Sequence, residues 1–330
     1  MRAAFFDTHK YEMPFYKSLQ DKHSLNFEYF EFRLNETTCK MASEFEVISC
    51  FVNDKINREV LAVLAKGKTK LITLRSAGFN HVDVNAAKEF GITVVRVPEY
   101  SPHAIAEHAL AMILCLNRKL HRAYQRVREG NFSLDGLMGF DLFGKTIGVI
   151  GTGRIGYIFS KIMFGIGCKI LAYDQTHSDQ DTSHLSYVSL EELLKQSDVI
   201  SLHVPLNKGT FHLIDKEALS LTKKGVFVVN TGRGALIDSK ALINSLKSGH
   251  IGAAALDVYE EEEGVFFEDL SEKILQDDQL ARLLSFHNVL LTSHQAFFTK
   301  EALENIAATT VENILNYTQK REFIASSLVI

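Results

Sequence analysis

Short apolar runs alternate along the chain with longer stretches whose apolar residues recur at three- and four-residue spacing. The first pattern predicts strands and the second helices, so the chain reads as α/β. Strands are predicted at Arg2 to Asp7, Asn26 to Phe32, Glu46 to Val52, Lys70 to Ser76 and Thr93 to Val97, with helices at Tyr11 to Lys22, Asn57 to Lys66 and Val82 to Phe90. Helical crossovers between successive strands predict a parallel sheet. Pro98 and Tyr100-Ser101-Pro102 end this unit, and a single long helix is predicted from Ser101 to Gly130 with Pro102 at its first position. The alternation then resumes. Strands are predicted at Asp198 to Val204, Gly225 to Asn230, Gly252 to Leu256 and Asn288 to Leu291, helices at Leu190 to Lys195, Asp215 to Leu221 and Asp238 to Ser248, and a last helix at Lys300 to Thr318.

Lys145 to Asp174 carries the most information. The β-branched apolar run Thr146 to Ile150 reads as a strand buried on both faces, and Gly151-Thr152-Gly153-Arg154-Ile155-Gly156 follows it without a gap. In a strand–turn–helix of this kind, Gly151 permits the tight turn, Gly153 lets the backbone approach a pyrophosphate, and Gly156 lets the helix pack close to the strand. The amides at the helix start then face the anion. Asp174 lies 23 positions after Gly151 at the end of a second strand. That is near the roughly 20-residue offset of a carboxylate that accepts from a ribose 2′-hydroxyl. Gln175, Thr176 and His177 follow, with no arginine to receive a 2′-phosphate. The expected cofactor is NAD rather than NADP.

Length and charge narrow the picture further. The 330 residues suit two domains, and 36 basic against 40 acidic residues, a net of −4, mark neither a nucleic-acid nor a membrane surface. Arg118, Lys119, Arg122, Arg126 and Arg128 form a basic cluster, read as a solvated or subunit-facing side of the long helix. Cys39, Cys50, Cys115 and Cys168 form no CxxC pair and sit mostly in apolar runs, as reduced thiols do. No metal site is assigned. The N-terminus has no cleavage-like site, and the longest nearly apolar stretch, Ala104 to Leu116, is interrupted by Glu107 and His108. A soluble cytoplasmic protein is expected.

Ligands of a doubly wound sheet sit at the carboxyl ends of its strands, so polar residues just past the second-unit strands are the candidates for chemistry. Arg233 follows the strand VFVV in Asn230-Thr231-Gly232-Arg233-Gly234, and its flanking glycines leave a guanidinium room to grip a carboxylate at two points. Glu260 to Glu263 follow Asp257, a run in which three glutamates read as a solvated loop. His294 follows the last strand. A histidine needs a carboxylate to fix its tautomer and keep it protonated, and one of the glutamates can serve if the loops converge. Histidine, glutamate and arginine together meet the needs of 2-keto acid reduction, with the nicotinamide supplying hydride.

The markers RSAGFNHVD from Arg75, VPEYSPHAIAEHA from Val97, VIGTGRIG from Val149, ISLHVPL from Ile200, NTGRGALID from Asn230, ALDVYEEEEGVFFED from Ala255 and SHQAF from Ser293 occur in order nearly end to end. In them the chain resembles the D-isomer-specific 2-hydroxyacid dehydrogenase family. That resemblance implies two doubly wound parallel-sheet domains with a cleft between them. One is a flavodoxin-like substrate domain of residues 1–99 and 299–330, to which the last helix returns, and the other a Rossmann NAD domain of residues 100–298. It implies NADH-dependent reduction of pyruvate to D-lactate, with His294 as acid and base, Glu262 as its partner and Arg233 on the carboxylate. It assigns cofactor contacts to Arg154, Ile155, Asp174, Val204, Pro205, Thr210, Thr231, Gly232 and Asp257 beside the three glycines. Substrate contacts fall to backbone N–H groups near Ala77 and Gly78, to Tyr100, and to Phe51 and Phe297 against the methyl group. His203 is expected to be structural on the cofactor side. Homo-oligomers are expected. The alternatives are a bulkier 2-keto acid or glyoxylate as substrate, a phosphorylated hydroxy acid, and a non-catalytic NADH-responsive corepressor.

Overall fold

The computed structural model describes residues 2–176, 180–262 and 264–330, so His177 and Glu263 of the sequence reading lie outside the described residues. The chain divides into two compact units, Met1–Ser101 with Phe298–Ile330, and Pro102–Phe297.

The first unit is built on β1 (Arg2–Phe5), α1 (Met13–His23), β2 (Asn26–Tyr29), α2 (Cys39–Ala42), β3 (Val47–Cys50), α3 (Arg58–Lys66), β4 (Leu71–Leu74), α4 (Val84–Glu89) and β5 (Thr93–Arg96). Its five strands are parallel in the order β2-β1-β3-β4-β5, the flavodoxin-like order. All four residues of β3 and of β4 are buried, because helices cover both sheet faces. Local chemistry starts the helices. Asn57 accepts from the Val60 amide at the head of α3, and Asp83 from the Ala86 amide at the head of α4.

Arg75, just past β4, is fully buried and gathers the ends of the neighbouring strands. Its guanidinium donates to the Phe6, Asp7 and Ser49 carbonyls and to the Glu12 carboxylate, 3.0 Å from Nε. A buried cation is tolerable when paired and fully hydrogen-bonded in this way.

The second unit begins with α5 (Pro102–Asn117) and α6 (Leu120–Arg128), where one helix had been expected. Lys119 breaks it by adopting a left-handed conformation, φ 52°. The break has local causes. The Asn117 amide group donates to the Phe140 carbonyl and accepts from the Phe140 amide, while Lys119 Nζ reaches the carbonyls of Gly136 and Met138. Arg126 likewise donates to the Asp135 carbonyl, so part of the basic cluster staples the segment that follows α6. None of the α6 residues is buried, whereas α5 buries eight.

The seven-stranded sheet then forms from β6 (Thr146–Ile150), α7 (Arg154–Gly165), β7 (Lys169–Tyr173), β8 (Ser186–Tyr187), α8 (Leu190–Gln196), β9 (Val199–Leu202), α9 (Lys216–Leu221), β10 (Val226–Asn230), α10 (Ser239–Lys247), β11 (Ile251–Leu256), α11 (Asp278–Ser285) and β12 (Val289–Leu291). Its strands are parallel in the order β12-β11-β10-β9-β6-β7-β8. The short β8 and α11 were not anticipated from the sequence. In the first unit, α12 (Lys300–Thr318) packs with α1 over one face of the five-stranded sheet, where Ala307, Val311 and Ile314 meet Phe5, Tyr16 and Val47. Each large side chain buried there contributes about 1.5–3 kcal/mol.

Tight packing at the β6–α7 turn gives a direct prediction. A Cβ on Gly156 would lie 1.9 Å from the Gly151 carbonyl oxygen, a backbone atom that no rotamer change can move. Gly156→Ala is expected to destabilise by about 1–3 kcal/mol and to weaken NADH binding. A thermal melt and a fluorescence titration check it, and a wild-type melt with wild-type affinity contradicts it.

Candidate active site

In the larger sheet the chain leaves β6 for β7 on one side and returns to β9 on the other, so the crevice for a ligand opens beyond the carboxyl end of β6. The dinucleotide turn lies there. Gly151 has φ 96°, and a Cβ on it would meet the His203 carbonyl oxygen at 2.6 Å. In front of Gly153, by contrast, a Cβ would meet nothing within 4 Å. Gly153 is the N-cap of α7, and no side chain caps the helix. That combination of open space and an uncapped helix start fits a pyrophosphate. Arg154 and Ile155 form the first turn behind it.

Asp174, just past β7, is held in place by the glycine turn. Its Oδ2 accepts from the Thr152 amide at 2.6 Å and from the Thr152 hydroxyl at 3.2 Å, and that hydroxyl accepts from the Tyr187 hydroxyl at 3.0 Å. Past β10, the Thr231 hydroxyl is buried with no hydrogen-bond partner among the described residues, a polar atom that a cofactor amide would satisfy. The residues present therefore fit a dinucleotide.

Val204 and Pro205 follow β9 in the same edge loop. His203 packs on Phe159, 4.9 Å between ring centres, and its Nε2 lies 2.9 Å from the Ser201 hydroxyl. Burial pushes its pKa down to about 3, so this imidazole is neutral and is no proton donor near neutrality. The Thr210 hydroxyl donates to the Pro205 carbonyl at 2.6 Å and accepts from the Asn207 amide at 2.8 Å, which ties the loop after β9 together.

The three residues expected to do chemistry follow three adjacent strands, Arg233 after β10, Glu262 after β11 and His294 after β12. His294 Nδ1 lies 2.9 Å from Glu262 Oε1, across 32 positions of sequence. The other carboxylate oxygen of Glu262 accepts from the Tyr259 amide at 3.1 Å, which holds the loop in place. A carboxylate on Nδ1 fixes the tautomer and leaves Nε2 to face a ligand. Arg233 is half-buried, and its Nη1 donates to the adjoining Gly232 carbonyl at 2.8 Å. No carboxylate among the described residues pairs with it, so its fork is available to an anion. Gly232 and Gly234 flank it. The Gly232 amide donates to Asn230 Oδ1, and a Cβ on Gly234 would collide with the Tyr259 backbone at 2.0 Å.

Asp257 does more than the sequence suggested. Its carboxylate is fully buried and accepts from the Thr292 hydroxyl at 2.5 Å and from the Gln295 and Ala296 amides, each at 2.9 Å. Burial alone would raise its pKa, but hydrogen bonds from His108, Thr292 and Ala296 outweigh that and hold the carboxyl below its ordinary value. It anchors the loop that carries His294. The glutamate run also differs from a purely solvated loop, since Glu260 accepts from the Ser239 amide and pairs with His212 at 2.5 Å.

The expected substrate-side residues of the first unit lie at the carboxyl edge of its own sheet. Phe51 follows β3 and is buried under the Arg75 guanidinium, with its amide donating to Asp54 Oδ2 at 2.6 Å. Ala77 and Gly78 follow β4, and their carbonyls are pinned by Arg96 and by the Ser76 hydroxyl. Tyr100 follows β5, and its carbonyl accepts from Asn305 at 2.6 Å. Phe297 ends the second unit and is nearly buried. Two residues near His294 were missed from sequence. Phe267 has its ring 6.0 Å from the imidazole, and His108 of α5 reaches Thr292 and Asp257. Only the interruption of the apolar stretch Ala104 to Leu116 by Glu107 and His108 signalled the latter.

A parallel sheet with a dinucleotide turn, an acid for ribose and a histidine–glutamate pair defines a nicotinamide-dependent dehydrogenase. Residues 110–296 match the family of D-isomer specific 2-hydroxyacid dehydrogenases through its NAD binding domain, and the chain belongs to that family. It is 48% identical to the D-lactate dehydrogenase of Escherichia coli K12 over 330 residues, covering the whole of both chains. Among solved structures it is similar to the pyruvate reductase of Chlamydomonas reinhardtii, with TM-score 0.92, 45% identity and 98% of each chain covered. It is also similar to a D-lactate dehydrogenase from Aquifex aeolicus complexed with NAD and lactic acid, with TM-score 0.87, 36% identity, and 99% of this chain and 98% of that one covered. The protein is thus an NAD-dependent oxidoreductase of 2-hydroxy acids.

Proposed function

We propose that the protein reduces pyruvate to D-lactate with NADH, using His294 as proton donor, Glu262 as its partner and Arg233 as the carboxylate clamp. The observation that carries this reading is the 2.9 Å contact between His294 Nδ1 and Glu262, at the sheet edge that also bears the dinucleotide turn. Glu262 accepts the Nδ1 proton and stabilises the charged ring, so Nε2 delivers its proton to the carbonyl oxygen of the keto acid. Bound NADH supplies the hydride. Arg233 orients the substrate by two-point contact with its carboxylate and draws charge toward the oxygen that becomes the alcohol. In the reverse direction Nε2 accepts the hydroxyl proton.

The preference for pyruvate is supported by the relatives named D-lactate dehydrogenase and pyruvate reductase. An NADH-oxidation assay across pyruvate, glyoxylate, oxaloacetate and 2-ketoisocaproate, with chiral analysis of the product, tests it. The expected result is the highest kcat/KM for pyruvate and a D product; a clear preference for another acid, or an L product, rules it out. Assembly as a homo-oligomer is supported by Leu120, Tyr124 and Val127, which share one face of α6 and are exposed. Four unpaired cysteines support a reducing compartment such as the cytoplasm. Among the described residues no helix is long and apolar enough to cross a membrane.

A further inference from the structure

His294 has φ 54°, the left-handed region that a non-glycine residue occupies only when its surroundings hold it there. The holding bonds converge on one residue. The His294 amide donates to the Asp257 carbonyl at 2.7 Å, and the next two amides, of Gln295 and Ala296, donate to the Asp257 carboxylate. Asp257 is in turn held from the far side. The Thr292 hydroxyl gives its proton to Asp257 Oδ1, leaving the Thr292 oxygen as an acceptor. His108 Nε2 lies 3.3 Å from that oxygen and 3.4 Å from Asp257 Oδ1, so an Nε2–H tautomer is shared between the two. His108 is a residue of α5, a helix whose buried side chains pack against α7 and the sheet, so the bonds connect the His294 loop to a rigid element.

We propose that His108 is a positioning residue for proton transfer, acting through Thr292 and Asp257 to keep the His294 backbone in its left-handed conformation and its imidazole on Glu262. Removing the His108 donor leaves the Thr292–Asp257 pair free to rotate. The hydrogen bonds that the Gln295 and Ala296 amides donate to Asp257 then loosen, and Nε2 is no longer fixed where the carbonyl oxygen is to be protonated. Displacement of an acid by about 1 Å costs on the order of a hundredfold in rate. This inference rests on the reading of His294 as the proton donor.

The test compares His108→Ala, His108→Gln and Thr292→Val with the wild type, each also in a His294→Ala background. His108→Ala is expected to lower kcat with pyruvate by about 10- to 100-fold, with the Kd for NADH changed by less than about twofold. His108→Gln, whose amide nitrogen can donate to the same pair, recovers at least part of the loss. In the His294→Ala background, His108→Ala costs nothing further, because its effect passes through the missing imidazole. A readout independent of turnover is the His294 Nδ1 proton in the cofactor-free protein, followed by NMR with 15N-labelled histidine and assigned by its loss in His294→Ala. It should broaden or disappear in His108→Ala. Thr292→Val removes the middle link and should act in the same direction, so it serves even if His108→Ala does not fold. Wild-type kcat and an unchanged Nδ1 signal in either variant overturn the inference while leaving the His294 reading intact, as does an equal loss in both backgrounds. Near-wild-type turnover of His294→Ala overturns both.

Discussion

His294→Ala is expected to lower turnover with pyruvate by about 10²- to 10⁴-fold while NADH still binds. The size follows from what the imidazole does. Hydride addition to a ketone without a proton donor leaves an alkoxide in the site, and burial holds His203, past β9 of the same sheet, in its neutral form. NADH affinity should survive because the dinucleotide turn, Asp174 and Thr231 belong to other loops of the same sheet edge. Stopped-flow turnover and a fluorescence titration of NADH separate the two effects. Turnover near that of the wild type would remove His294 from the mechanism.

The second large effect is expected at Arg233. A guanidinium grips a carboxylate at two points in one plane, whereas an ammonium is a point charge. Arg233→Lys therefore keeps the charge and loses the second contact. A hydrogen bond to a charged group contributes roughly 1.5–3 kcal/mol, so the KM for pyruvate should rise about 10- to 100-fold. Turnover should also fall, because a substrate held at one point is poorly aimed at His294 Nε2. The Kd for NADH should stay put. Steady-state kinetics over a wide pyruvate range give both constants, and an unchanged KM would show that the carboxylate binds elsewhere.

Much of this site could be read from the residues because the chemistry of a parallel sheet is local in sequence. Lys145 to Asp174 contains a whole strand–turn–helix–strand, and Gly151, Gly153, Gly156 and Asp174 occupy in space the positions their spacing implies. Arg233 was visible for the same reason, directly after an apolar strand and between two glycines. What could not be read is long-range. Nothing local distinguishes Glu262 from Glu260. One meets His294 and the other meets His212 because the loop closes in a particular way. The break at Lys119 was hidden because its cause is the Asn117 side chain bonding Phe140, 23 positions away. The part Asp257 plays in anchoring the His294 turn through its three loop partners was equally hidden, because it depends on β11 and β12 lying side by side. His108 depends on the same pairing and on α5 crossing that end of the sheet.

A crystal structure with NADH and oxamate, a stable mimic of pyruvate, tests the mechanism most directly. His294 Nε2 is expected within about 2.6–3.2 Å of the oxamate carbonyl oxygen, with both Arg233 terminal nitrogens on its carboxylate and Glu262 still on Nδ1. Oxamate bound beside the nicotinamide with His294 turned away, or with its carboxylate on a cation other than Arg233, would contradict it.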